Sequence, residues 1–114
     1  MKFYLGGPMT GLPEFNFPYF ERVAKQLRNI WDFDILSAHE VEFDETNGKL
    51  PYMQYIKGDL KVLLDCDAVI FLPGWESSRG CNIEYKVARI LDMPVFAFCP
   101  ETLTHPPSIQ EIPR

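Results

Sequence analysis

The chain has 114 residues, 46% of them hydrophobic and 24% charged, with a formal net charge of −5. This length supports one domain around one core, and an acidic balance with no basic cluster disfavours duplex nucleic acid as a partner. No apolar run is long enough to span a bilayer, so no membrane partner is expected.

Three cysteines, Cys66, Cys81 and Cys99, form an odd set without CxxC spacing. That pattern suggests reduced thiols in a cytoplasm-like compartment. His39 and His105 lie far apart with no Cys or His at ligand spacing, so neither a metal site nor a cofactor is indicated. The segment from Met1 to Pro8 goes straight into a short strand and turn, without the apolar stretch of a signal peptide. A small phosphorylated ligand stays compatible with the acidic charge, because backbone N–H groups at a helix N-terminus bind anions.

In chain order, residues 2–6 read as a short apolar strand, and the glycine-rich loop 6–11 follows. A helix is expected over 15–30, from Phe20, Val23, Ala24, Leu27 and Ile30 at helical spacing. Asn16 is its expected N-cap, and Pro18 is tolerated in the first turn. Residues 34–36 read as a second strand. The polar, acidic stretch 37–50 contains an Asn47-Gly48 turn and is long for a compact domain, which suggests a lid or a disordered excursion. Residues 52–65 form the second helical pattern, with Ile56, Leu60, Leu63 and Leu64 apolar. The run 68–72 reads as a buried strand ended by Pro73-Gly74. A polar loop, 76–80, leads into a third helix that Met93-Pro94 closes, and 95–98 is a fourth strand. The tail, 99–114, holds four prolines and little periodicity, and reads as an extended arm of the single domain 1–114.

The order β-α-β-α-β-α-β implies an α/β fold. Its parallel sheet is small and doubly wound, flavodoxin- or Rossmann-like, with four to five strands. With strand order 2-1-3-4, the switch point falls between the first and third strands, where ligands bind beyond the carboxyl ends. The loops 6–11 and 73–80 should meet there. The sequence contains no GxxxxGK[ST], and GGPMTG does not fit GxGxxG, so neither a P-loop nor a dinucleotide fingerprint is present. The first loop by itself reads equally well as a tight turn after a strand.

Glu84 is the anomaly. Val87, Ala88 and Leu91 lie three, four and seven residues on and share its helix face, which should pack on the third strand. A carboxylate there is costly unless partnered or used, and no Lys or Arg stands at local pairing distance. Asp65 and Asp92 differ, having Lys61 and Arg89 nearby in sequence. Asp59 repeats the anomaly in the second helix, among Tyr55, Ile56, Val62 and Leu63. Taken singly, each acid also fits a solvated rim position or a partner from another element. Taken together, two such acids suit glycosidic bond cleavage, one attacking an anomeric carbon and one protonating the leaving group. Ser78 is an N-cap, a phosphate ligand or both. Arg79 reads as surface charge rather than a phosphate contact. Tyr4 is either core or the orienter of a carboxylate. Trp75 either stacks on a base or covers its loop.

These residues resemble a known superfamily. Tyr4-Leu5-Gly6-Gly7-Pro8-Met9, Gly58-Asp59-Leu60, Asp67-Ala68-Val69-Ile70 and Ser78-x-Gly80-x-x-x-Glu84 are similar, in order and spacing over roughly 3–98, to the nucleoside 2-deoxyribosyltransferases. The nearest sub-group is the small domain of unknown function common in phages and bacteria that opens with YxxGPM. It is close to the 2'-deoxynucleoside 5'-phosphate N-hydrolases. The resemblance implies that Glu84 is the nucleophile, forming a glycosyl-enzyme ester. Asp59 would assist departure of the base, and Tyr4 would position the nucleophile. Gly6, Gly7, Pro8, Met9, Ser78 and Gly80 would bind a small-molecule nucleotide. Ser78 replaces the Asp of transferases that act on unphosphorylated nucleosides, and a hydroxyl accepts a 5'-phosphate where a carboxylate repels it. The resemblance therefore implies hydrolysis of a (deoxy)nucleoside 5'-monophosphate. Base exchange and non-catalytic nucleotide binding are the alternatives. Relatives are usually homodimers, so the resemblance also implies a homodimer in which Ser108 of a neighbouring tail could cap the phosphate. The first loop departs from better-studied hydrolases in carrying Pro8-Met9-Thr10 without their arginine.

Overall fold

The computed structural model describes residues 1–41 and 52–114, with side chains for 1–40 and 56–114. The reading of 37–50 as a lid or excursion therefore falls largely on 42–50, outside the described residues. Five strands form one sheet in the order β2-β1-β3-β4-β5. They are β1 Lys2–Gly6, β2 Asp34–Ser37, β3 Ala68–Phe71, β4 Val95–Cys99 and β5 Ser108–Glu111. The first four are parallel, as the alternating helix and strand patterns require. The fifth is antiparallel to β4, with Cys99 paired to Ser108. Part of the tail is thus a strand rather than only an arm. Its prolines flank the paired segment, where they cost no ladder hydrogen bond.

The helices are α1 Phe17–Ile30, the single turn α2 Ala38–Val41, α3 Tyr52–Leu64 and α4 Arg79–Ile90. In β3, Ala68, Val69, Ile70 and Phe71 are all fully buried. Consecutive residues face opposite sides of a strand, so both faces of the sheet are covered, as expected for a parallel sheet. Right-handed crossovers put α1 on one face and α3 and α4 on the other. Among the described residues, no helix is long and apolar enough to cross a membrane.

Several local expectations are corrected. Asn16 does precede α1, but its side chain does not cap the helix. It is left-handed (φ 63°), as are Glu14 and Phe15 before it, and its Nδ2 donates to the Pro8 carbonyl at 3.0 Å. Asn16 therefore ties the first loop to the start of α1. The buried stripe of α4 is Cys81, Glu84 and Ala88. Leu91 is 49% exposed because the helix ends at Ile90, and Asp92 then turns the chain with φ 59°. Asp92 does not pair with Arg89 but with Arg114. Arg89 instead donates to the carbonyls of Ile112 and Pro113 and lies over the Tyr85 ring. The tail brings closer partners than the local helix offers.

Candidate active site

The two glycine-containing loops meet at the carboxyl ends of β1 and β3. The Leu72 N–H donates to the Gly6 carbonyl at 2.9 Å, extending the β1–β3 ladder by one step. A Cβ on Gly7 would lie 2.8 Å from the Leu72 Cβ, and one on Gly74 would lie 3.5 Å from Pro8 Cγ. Gly7 is thus needed for close backbone approach. Gly74 is needed for its left-handed φ of 87°. At the other end of the same strands, Asp67 Oδ2 accepts from the Lys2 N–H at 2.8 Å, which gives Asp67 a structural role away from the site.

Tyr4 and Gly6 point to the face that carries α4. Tyr4 is fully buried, and its hydroxyl donates to Glu84 Oε2. Glu84 is 3% exposed and Asp59 5% exposed. Burial first, then the nearby carboxylates of Glu84 and Asp59, push the Tyr4 hydroxyl well above its ordinary value of 10.0. The phenol therefore stays protonated and remains a donor across the physiological range. The same influence puts Asp59, on α3, in electrostatic reach of Tyr4, and Cys81 also acts on it. Two carboxylates and a phenol from three separate elements thus converge. Ion clusters in protein interiors are often replaceable by apolar residues at no loss of stability, so stability is a poor reason for this one.

Ser78 is the N-cap of α4, its Oγ accepting from the Cys81 N–H at 3.3 Å. Gly80 lies in the first turn of that helix. Arg79 is exposed. Trp75 stacks on Phe71 at 4.8 Å between centroids and tilts against Tyr85 at 5.2 Å, which favours its covering role. Met9 packs against the core, and Pro8 lies where a Cβ on Gly74 would meet it. Ser108 stands at the carboxyl end of the sheet but on β5, with β4 between it and β3. Within one chain it is not brought to Ser78. Cys81 is a site neighbour not singled out from sequence. Its position three residues before Glu84 on one helix face was the available signal.

The chain matches, over residues 1–97, the family described as Domain of unknown function (DUF4406). It belongs to that family. No curated protein matches it in sequence. The family member's fold is similar to that of a solved 2-deoxyribosyltransferase from the psychrotolerant bacterium Bacillus psychrosaccharolyticus. The TM-score is 0.64 at 19% identity, over 91% of this chain and 77% of the other. The α/β architecture, with its mostly parallel sheet in the order 2-1-3-4-5, is accordingly like the 2-deoxyribosyltransferase fold.

Proposed function

We propose that this protein hydrolyses the N-glycosidic bond of a (deoxy)nucleoside 5'-monophosphate, and so acts as a relative of the 2'-deoxynucleoside 5'-phosphate N-hydrolases. The observation that carries the proposal is the buried Tyr4–Glu84 hydrogen bond at the sheet's switch point, with Asp59 in electrostatic reach. Glu84 attacks the anomeric carbon, and Asp59 gives its proton to the departing base. The protonated Tyr4 hydroxyl holds the Glu84 carboxylate in place. The Ser78 hydroxyl and the N-terminal amides of α4 take the phosphate, with Gly6, Gly7, Pro8, Met9 and Gly80 shaping the cleft. A homodimer would let Ser108 of the second copy approach the phosphate.

The test is to incubate the purified protein with each nucleoside monophosphate and follow free base by chromatography. Wild type is expected to release base from at least one, and Glu84→Gln to release none. Full activity in Glu84→Gln, or no release by wild type from any monophosphate, overturns the proposal. The likeness to a 2-deoxyribosyltransferase fold favours base exchange as a second reading. A new nucleotide formed on adding a second free base would select it.

A further inference from the structure

The Glu84 carboxylate is held from two sides. Its Oε2 accepts from the Tyr4 hydroxyl. Its Oε1 lies 3.0 Å from where a Cβ on Gly6 would stand, and that position is also 3.0 Å from Phe71 Cε1 and from Tyr4 Cε2. A methyl group there would press on three side chains at once. Tyr4 and Phe71 belong to sheet strands and are fully buried. Glu84 reaches the position from a helix, on an unringed side chain with one more rotatable bond than Tyr or Phe, so it is the group that yields. Gly6 has no left-handed φ, so backbone freedom is not why glycine stands here.

We propose that Gly6 is the seat of the Glu84 carboxylate: its bare Cα fixes Oε1 at the carboxyl end of β1 while Tyr4 holds Oε2, and Oε1 is the oxygen that bonds to the anomeric carbon. The second half of this statement rests on Glu84 being the nucleophile. Oε1 supplies an electron pair to C1', the C1'–N bond breaks, and its pair goes to the base nitrogen, which takes the Asp59 proton. In the resulting ester Oε2 is the carbonyl oxygen and still accepts from Tyr4. Water then attacks C1' and loses its proton to Asp59, and the C1'–Oε1 pair returns to the carboxylate. Gly6 is a positioning residue, since it acts through Glu84.

The test compares Gly6→Ala in the wild-type and Glu84→Ala backgrounds, with Gly7→Ala as the control. A Cβ on Gly7 would meet Leu72, so it reports the cost of crowding without Glu84. Gly6→Ala is expected to lower the melting temperature markedly in the wild type and much less beside Glu84→Ala, whereas Gly7→Ala costs the same in both. Equal losses for Gly6→Ala in the two backgrounds overturn the seat. If Gly6→Ala fails to fold alone, recovery of folding with Glu84→Ala supports it, and failure in both assigns the position to packing and overturns it. On base release, Gly6→Ala is expected to lower kcat on the order of tenfold or more, as a misplaced nucleophile does, with KM little changed. A rise in KM at unchanged kcat would confine Gly6 to shaping the cleft and overturn the proposal. If wild type releases no base, the proposed activity fails, while the thermal comparison still decides the seat.

Discussion

Two sets of carboxylates divide this molecule. At the carboxyl ends of β1 and β3, Glu84 and Asp59 are buried around Tyr4. On the rim, Asp92 pairs with Arg114 with its side chain 81% exposed, and Glu40 pairs with Arg28 at 2.7 Å with its side chain 44% exposed. The chemical group is the same, and the surroundings differ. Water screens the rim pairs, so each contributes little to stability and can do little chemistry. In the buried set, desolvation comes first and the charges of Glu84 and Asp59 then act strongly through it, and together they drive the Tyr4 hydroxyl upward. Burial turns an ordinary acid into a group whose neighbours and direction are set by three elements at once.

The sharpest way to break this contrast is Asp59→Asn. Base release is expected to fall by about 100- to 10,000-fold, the usual worth of a general acid, with the fold retained. Chromatography measures the first and circular dichroism the second. Undiminished turnover would put Asp59 among the structural acids.

A middle-sized effect concerns Tyr4. Its raised value means that the folded protein keeps a proton that the unfolded chain loses above pH 10.0. Stability is therefore expected to fall as pH rises beyond that point. Tyr19 is also raised, by burial, with Arg22 opposing, and burial pushes the Cys66 thiol up to about 11, so Tyr4→Phe should remove part but not all of this alkaline loss. Denaturant titrations at increasing pH would show it, and an unaltered alkaline limb in Tyr4→Phe would contradict the buried contact.

The smallest effect is on the rim. Arg114→Ala is expected to change stability by less than about 1 kcal/mol, and still less at high salt. A large loss in calorimetry would mean that the tail's end holds α4 more firmly than an exposed pair can.

Much of the fold was legible because its period is local. The spacing of Phe20, Val23, Ala24 and Leu27 marks the buried face of α1, and the unbroken apolar run of β3 marks a strand covered on both sides. A sheet of four to five strands was expected, but the sequence did not place the fifth in the tail, since a short pairing of Ser108–Glu111 depends on β4 lying beside it. The ends of helices are also hidden from spacing alone. Leu91 fits the apolar stripe by spacing, yet the chain leaves the helix one residue earlier, and tertiary packing sets that exit.

The sequence by itself determined that two acids stand in apolar stripes without local cations, and that a glycine-rich turn follows the first strand. Helical and strand periodicity fix those statements residue by residue. Only the tertiary structure decided that Glu84 meets Tyr4 across 80 positions of chain, that Asp59 acts on the same phenol, and that Gly6 makes room for one carboxylate oxygen. Those contacts depend on strand order and on how closely α4 packs to β1. Such distances arise only when the sheet is assembled.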